Sequence, residues 1–165
     1  MVLIAQGTCP TNASAEGDGQ ATLTALQSSA TSAVSLLTLI ANRMQMQGSG
    51  VIAVIGSVAG GRGPKSTYVY GSSKALVAVF AQGLADRLDV FGVRVITVKP
   101  GWVDTPMTAS LAKGPLWVGP ESVARQMHAR IAAVRSVSYC VPRFWWAIMA
   151  VVRCLPDYLR SQTSS

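Results

Sequence analysis

The stretch VIAVIGSVAGGRGPKSTYVYGSSK, Val51 to Lys74, passes from continuous β-branched residues through a glycine-rich turn into a polar segment of helical spacing. Its first part reads as a strand covered on both faces, which places it in a parallel sheet with helical crossovers. Ser57 follows that strand directly, Tyr70 comes thirteen residues later and Lys74 four after that. Spacing i, i+4 puts phenol and amine on one helix face, about 5–6 Å apart at Cβ. A free phenol, with a pKa of about 10, is a poor acid–base catalyst at neutral pH. A neighbouring ammonium favours the phenolate and lowers that value. Such a pair exchanges a proton with a carbonyl or alcohol, a role worth about 10²–10⁴-fold in rate. A serine hydroxyl on the same oxygen stabilises the charge that develops there. The bland reading stands beside this one: Tyr70 as a half-buried packing residue and Lys74 as a solvated one.

Working outward, the chain alternates. Val2–Ala5 (VLIA) is a short apolar strand, followed by the loop TNASAEGDGQ. A helix is predicted over about Ala21–Gln47, with Leu23, Leu26, Ala30, Val34, Leu37, Ala41 and Met44 on one face and Gly48 and Gly50 ending it. After the opening stretch, a helix over about Thr67–Phe91 ends at Gly92, and VRVITV (Val93–Val98) is a strand stopped by Pro100 and Gly101. A helix over Pro120–Val134 and a strand over Ser138–Val141 complete the order βαβαβαβ. The expected fold class is α/β, a partial Rossmann-type parallel sheet of about four strands with flanking helices, right-handed crossovers and a C-terminal apolar helix. Ligands collect at the carboxyl ends of such strands. Ser57 and Pro100-Gly101 both fall on that edge.

The 165 residues are about one domain long, half of them hydrophobic and 13% charged, a composition that forms a core. The sheet domain is assigned to residues 1–141 and a tail to 142–165. A net charge of +7 suits an anionic ligand or membrane surface. The basic residues are scattered without an aromatic platform, which argues against nucleic acid. Cys9, Cys140 and Cys154 lie far apart and read as reduced thiols of a cytoplasmic protein rather than disulfides or zinc ligands. His128 is the sole histidine, assigned to solvent or packing. No secretory signal is visible in MVLIAQGTCP.

In their order and separation, SVAGGRG, YGSSK and VKPGWVDTPM resemble the serine, tyrosine–lysine and post-strand segments of the short-chain dehydrogenase/reductase family, over about Val2 to Val141. The resemblance implies an NADP or NAD cofactor and hydride transfer to or from a carbonyl or alcohol. It implies that Tyr70 is the general acid/base, that Ser57 polarises the carbonyl, and that Lys74 lowers the tyrosine pKa and binds the nicotinamide ribose. Pro100, Gly101, Val103 and Thr105 would line the nicotinamide carboxamide. Aligned through AVSLLT, Ser29 stands where the family has a catalytic asparagine; a serine lacks the amide's paired donor and acceptor, which weakens a proton relay there. More narrowly, AVSLLTLIANRMQMQGSG, YVYGSSKA, VITVKPGWVDTPMTA and VPRFWWAIMAVVRCLP resemble reductases of decaprenylphosphoryl keto-pentose, implying a lipid-linked keto-sugar substrate.

The family's opening T-G-x-x-x-G-x-G turn, which brings backbone N–H groups to the cofactor pyrophosphate, does not occur in the sequence. By the resemblance the chain is N-terminally truncated and starts at the family's fourth strand. The alternative to an enzyme is then a non-catalytic remnant or fragment. The segment that distinguishes NAD from NADP is absent with it. Val2–Ala5 becomes an exposed edge, and such edges invite pairing, so a homo-oligomer through the two long helices or a complementary fragment is expected. The tail PRFWWAIMAVVRCLP (Pro142–Pro156) is too short for a bilayer span of about 20 residues. Either it lies on a membrane surface through residues 143–155, with Trp145 and Trp146 at headgroup level flanked by Arg143, Arg153 and Arg160, on the inner face, or it packs on the subunit or its mate.

Overall fold

The computed structural model describes residues 1–9, 17–62, 65–133 and 138–154. Four strands form one all-parallel sheet in chain order: β1 (Val2–Ile4), β2 (Gly50–Ile55), β3 (Val93–Pro100) and β4 (Ser138–Val141). The α/β expectation is met. β3 runs two residues beyond the predicted Val98, because Lys99 and Pro100 pair with Cys140 and Val141. Proline is tolerated there, at the end of the ladder, where a missing N–H costs least.

The long helix is α1 (Gly19–Leu26), a π-helical turn (Gln27–Thr31) and α2 (Ser32–Gln47). Asp18 caps its start, accepting the Gln20 N–H at 2.8 Å, and Gly48 ends it at φ 72°. The π turn coincides with the polar run QSSAT. There Thr31 Oγ1 donates to Gln27 O at 3.1 Å and Ser32 Oγ to Ser28 O at 2.7 Å, competing with the regular ladder. A wider turn shifts the helical phase, so one stripe does not continue through it. Ala30, Ala33, Leu37, Ala41 and Met44 are buried, whereas Leu23, expected on the same face, is 60% exposed. By length and composition the helix Gly19–Gln47 is apolar enough to cross a membrane, a property it shares with core helices.

α3 (Tyr68–Leu88) lies with α2 on one sheet face, over Val54, Val93 and Val95. α4 (Pro120–Ala133) covers the other, where Val123 and Ile131 meet Ala53, Ile96 and Val98. All three crossovers step the same way across the sheet, yet the third runs over the opposite face. They therefore do not share one hand, and the expectation of uniformly right-handed crossovers is not met. The long loop after β3, tied to the start of α4 by an isolated bridge between Val103 and Val118, carries the chain across.

α5 (Phe144–Cys154) lies against β4 and the 3-10 turn Val58–Gly61. Trp145 and Met149 are buried, while Phe144, Trp146 and Val151 are exposed. One face of the apolar helix thus packs on the chain, and Trp145 is not available at headgroup level. Leu155, Pro156 and Arg160, invoked for the tail, lie outside the described residues, as do Thr11–Glu16 of the first loop, Gly63 and Val134. β1 is an edge strand, as expected, with Leu3 49% exposed.

Candidate active site

The extended backbone of Ser57 carries the chain from β2 into the turn Val58–Gly61, which it caps by accepting the Ala59 N–H at 3.1 Å. Tyr70 and Lys74 stand one turn apart at the start of α3, with the ammonium 5.8 Å from the ring centre. Lys74 is only 5% exposed. Its Nζ donates to Gln6 O and to Ile55 O, both at 3.1 Å. One carbonyl lies just past β1 and the other ends β2, so the amine ties two strand ends to α3. Gly7 makes this approach possible. Its φ of +147° suits glycine, and a Cβ there would sit 2.9 Å from the Lys74 Nζ.

The phenol of Tyr70 is shifted in the direction opposite to the sequence expectation. Burial pushes its pKa above the ordinary value, the hydrogen bond with Ser57 opposes that, and the Cys9 thiol adds to it. Burial likewise pushes the Lys74 amine down, against the pull of Cys9. The amine is turned to the two carbonyls, and desolvation of the phenol dominates. Cys9, which sequence reasoning left as an ordinary thiol, is half-buried close enough to both to be felt.

Pro100 and Gly101 end β3, and Val103 and Thr105 follow in a braced loop. Thr108 Oγ1 donates to Val103 O at 2.7 Å and accepts the Thr105 N–H at 3.1 Å. Gly101 N–H donates to Val141 O at 3.0 Å. These four residues share with Ser57, Tyr70 and Lys74 the lining of one cavity of about 600 Å³ at the carboxyl edge of the sheet. Its far wall is α4, through Val123, Met127 and Ile131, and Leu3 and Ala5 of the β1 segment border it. His128 is exposed and lines the same cavity. The α4 wall was not legible in the sequence, because only the unexpected path of the β3–β4 connection brings it there.

Ser29 is not in that lining. It is buried in the π turn, where its Oγ accepts the Thr8 N–H at 3.0 Å and donates to Thr8 O at 3.3 Å. The hydroxyl is engaged in fastening the segment after β1. Its Oγ nevertheless comes near Lys74: a Cβ on Gly7 would meet the Lys74 Nζ at 2.9 Å and the Ser29 Oγ at 4.0 Å.

Doubly wound α/β proteins hold their ligands at the carboxyl edge of a parallel sheet, and here a serine, a tyrosine and a lysine gather at that edge. The chain belongs to the short-chain dehydrogenase family, whose profile matches residues 2–115. It is 35% identical over 157 residues to an uncharacterised oxidoreductase of Mycobacterium tuberculosis H37Rv, covering 95% of this chain and 63% of that protein. An uncharacterised oxidoreductase of Streptomyces coelicolor is 38% identical over 130 residues, 79% of this chain and 51% of that one. A crystal structure of a short chain dehydrogenase from Burkholderia cenocepacia in complex with NADP superposes with a TM-score of 0.77 at 16% identity, over 90% of this chain and 61% of that one. That likeness shows the fold. The chain spans less than two thirds of the length of each of these relatives.

Proposed function

We propose that the chain carries the carbonyl-handling, nicotinamide-facing part of an NAD(P)-dependent oxidoreductase acting on a ketone or alcohol. The observation that supports this is the shared cavity: Ser57, Tyr70 and Lys74 on one side, Pro100, Gly101, Val103 and Thr105 on the other. The nicotinamide end of the cofactor fits it. Lys74 uses two of its three donors on Gln6 and Ile55, leaving one for a ribose hydroxyl. The pyrophosphate end has no counterpart among these residues, since the sequence contains no T-G-x-x-x-G-x-G turn. The nicotinamide, when bound, supplies or accepts the hydride. Tyr70 gives its proton to the carbonyl oxygen in reduction and takes one from the alcohol in oxidation. Ser57 donates to the same oxygen, and Lys74 holds the ribose. With its pKa raised above the ordinary phenol value, Tyr70 is protonated at neutral pH, the form that donates in reduction, and oxidation uses the phenolate formed at higher pH.

The specific substrate we propose is a lipid-linked keto-sugar, on the resemblance of four segments to decaprenylphosphoryl keto-pentose reductases and on the apolar α4 wall of the cavity. The chain would be cytoplasmic. Exposed Phe144, Trp146 and Val151 beside Arg143 supply an apolar, basic surface for peripheral contact with the inner membrane face. Leu36 and Leu39 on α2 with Leu76 and Val79 on α3 are exposed and suit self-association.

A second reading is a chain that folds or associates without turnover, or that works only when a complementary segment pairs with it. It is favoured by the open edge of β1, where Leu3 borders the cavity without cover. A titration with NADH and NADPH separates the two readings. Trp102 serves as energy-transfer donor; it is exposed and stacks on Trp117 at 5.4 Å. Saturable binding, with ketone reduction that Tyr70→Phe abolishes, supports the enzyme. No binding up to millimolar cofactor by a folded chain leaves the second reading.

A further inference from the structure

A second pocket, of about 290 Å³, lies on the sheet face opposite α4, enclosed by α3, β3, β4 and α5. It shares no lining residue with the cavity described above. Lys99 enters it from β3 and Arg153 from α5. Neither has a carboxylate partner among the described residues. The two cations are close enough to disturb each other. Burial, then the Arg153 guanidinium, pushes the Lys99 amine below the usual lysine range, with the Cys140 thiol opposing. The guanidinium rests on Gly61, where a Cβ would come within 3.2 Å of its Nη2. Thr97, also from β3, lines the same pocket; it is 1% exposed and its Oγ1 has no hydrogen-bond partner among the described residues.

Buried hydroxyls are almost always hydrogen-bonded, and two like charges are held together at a cost unless an anion lies between them. Two cations reach one space here, and the Thr97 hydroxyl lies beneath its wall with no accessible surface of its own. We propose that this pocket is an oxyanion site that takes a phosphate group, with Lys99 and Arg153 as its cationic partners. A phosphate monoester carries about −1.5 to −2 charge at neutral pH and has several acceptor oxygens, which matches two cations better than a carboxylate does. Arginine's planar fork suits it for the bidentate contact. The ester group is either that of a soluble compound or that of a lipid headgroup, since the same helix that brings Arg153 exposes Trp146 and Val151.

The test uses the full chain in sodium phosphate against sodium chloride of matched ionic strength, and vesicles of phosphatidic acid against phosphatidylcholine. Phosphate is expected to raise the thermal midpoint saturably, as a ligand of the folded state does. Arg153→Gln and Lys99→Gln should each weaken phosphate binding about tenfold, the loss of one charge-assisted contact. Arg153 is exposed, so its variant keeps the test valid if Lys99→Gln does not fold. A phosphate effect that needs these residues, without selective vesicle binding, assigns a soluble ester. Co-sedimentation with phosphatidic acid vesicles that needs them assigns a headgroup. The proposal is overturned if neither effect depends on Lys99 and Arg153, whether because nothing binds or because binding survives both substitutions.

Discussion

Gly7 holds the space in which Lys74 reaches Gln6 O, so its substitution tests the ammonium's anchorage directly. Gly7→Ala adds a Cβ 2.9 Å from Nζ at a φ of +147°; it should cost about 1–3 kcal/mol, read as a lower urea midpoint. Tyr70→Phe should lower turnover by about 10²–10⁴-fold while leaving the fold intact, checked by single-turnover kinetics and circular dichroism. The hydrogen bond from Ser57 lowers the Tyr70 pKa against the burial that raises it. Ser57→Ala should therefore move the phenol further up, and the limb of an alcohol-oxidation profile that rises with pH should shift to higher pH with it. Ultraviolet titration of phenolate checks this, with Tyr70→Phe subtracting Tyr139, whose phenol burial also raises. The sign carries over to stability. A folded value above the free 10.0 gives a contribution that is full below that pH and lost as pH rises through the folded pKa.

Among the elements, α5 and the π turn show where the sequence ran out as a guide. The strands were legible because β-branched runs bounded by glycine and proline leave little choice, and the long helices were legible from their stops. The phase of the first helix was not, since nothing in a 3.6-residue period announces that QSSAT turns wider; Leu23 went to solvent for that reason. The same turn aims the Ser29 hydroxyl at Thr8, next to Gly7 and Lys74. If Ser29 acts only as a fastener, Ser29→Ala should cost about 1 kcal/mol and speed amide exchange at Thr8, with the pH–rate profile unchanged. The tail's apolar character was plain, but which face it buries was not. Trp145 lies so close over Gly101 that a Cβ there would overlap its indole, and its Nε1 has no partner among the described residues. Trp145→Ala should cost about 3–5 kcal/mol and loosen the Pro100-Gly101 turn. Trp145→Phe, which keeps a ring and deletes the orphan donor, should cost less than about 1.5 kcal/mol. Chemical denaturation compares the two.

For the whole molecule, the trio at the strand ends was legible because strand order follows sequence order, but the cavity's shape was not. It depends on α4 crossing the opposite face and on the bare flank of β1. The exposed apolar faces of α2 and α3 predict self-association. Leu39→Glu with Val79→Glu, both on exposed positions, should lower the sedimenting mass without unfolding the chain. The β1 edge has a subtler consequence. Gln6, whose carbonyl receives the Lys74 ammonium, is the second residue past the end of that edge strand. Whatever lines up along β1, a neighbouring strand or a second molecule, pulls on a backbone whose next peptide but one grips the lysine. The outermost strand and the lysine are thus moored to one rope: a displacement of β1 is carried to the Gln6 carbonyl and so to the amine tied there.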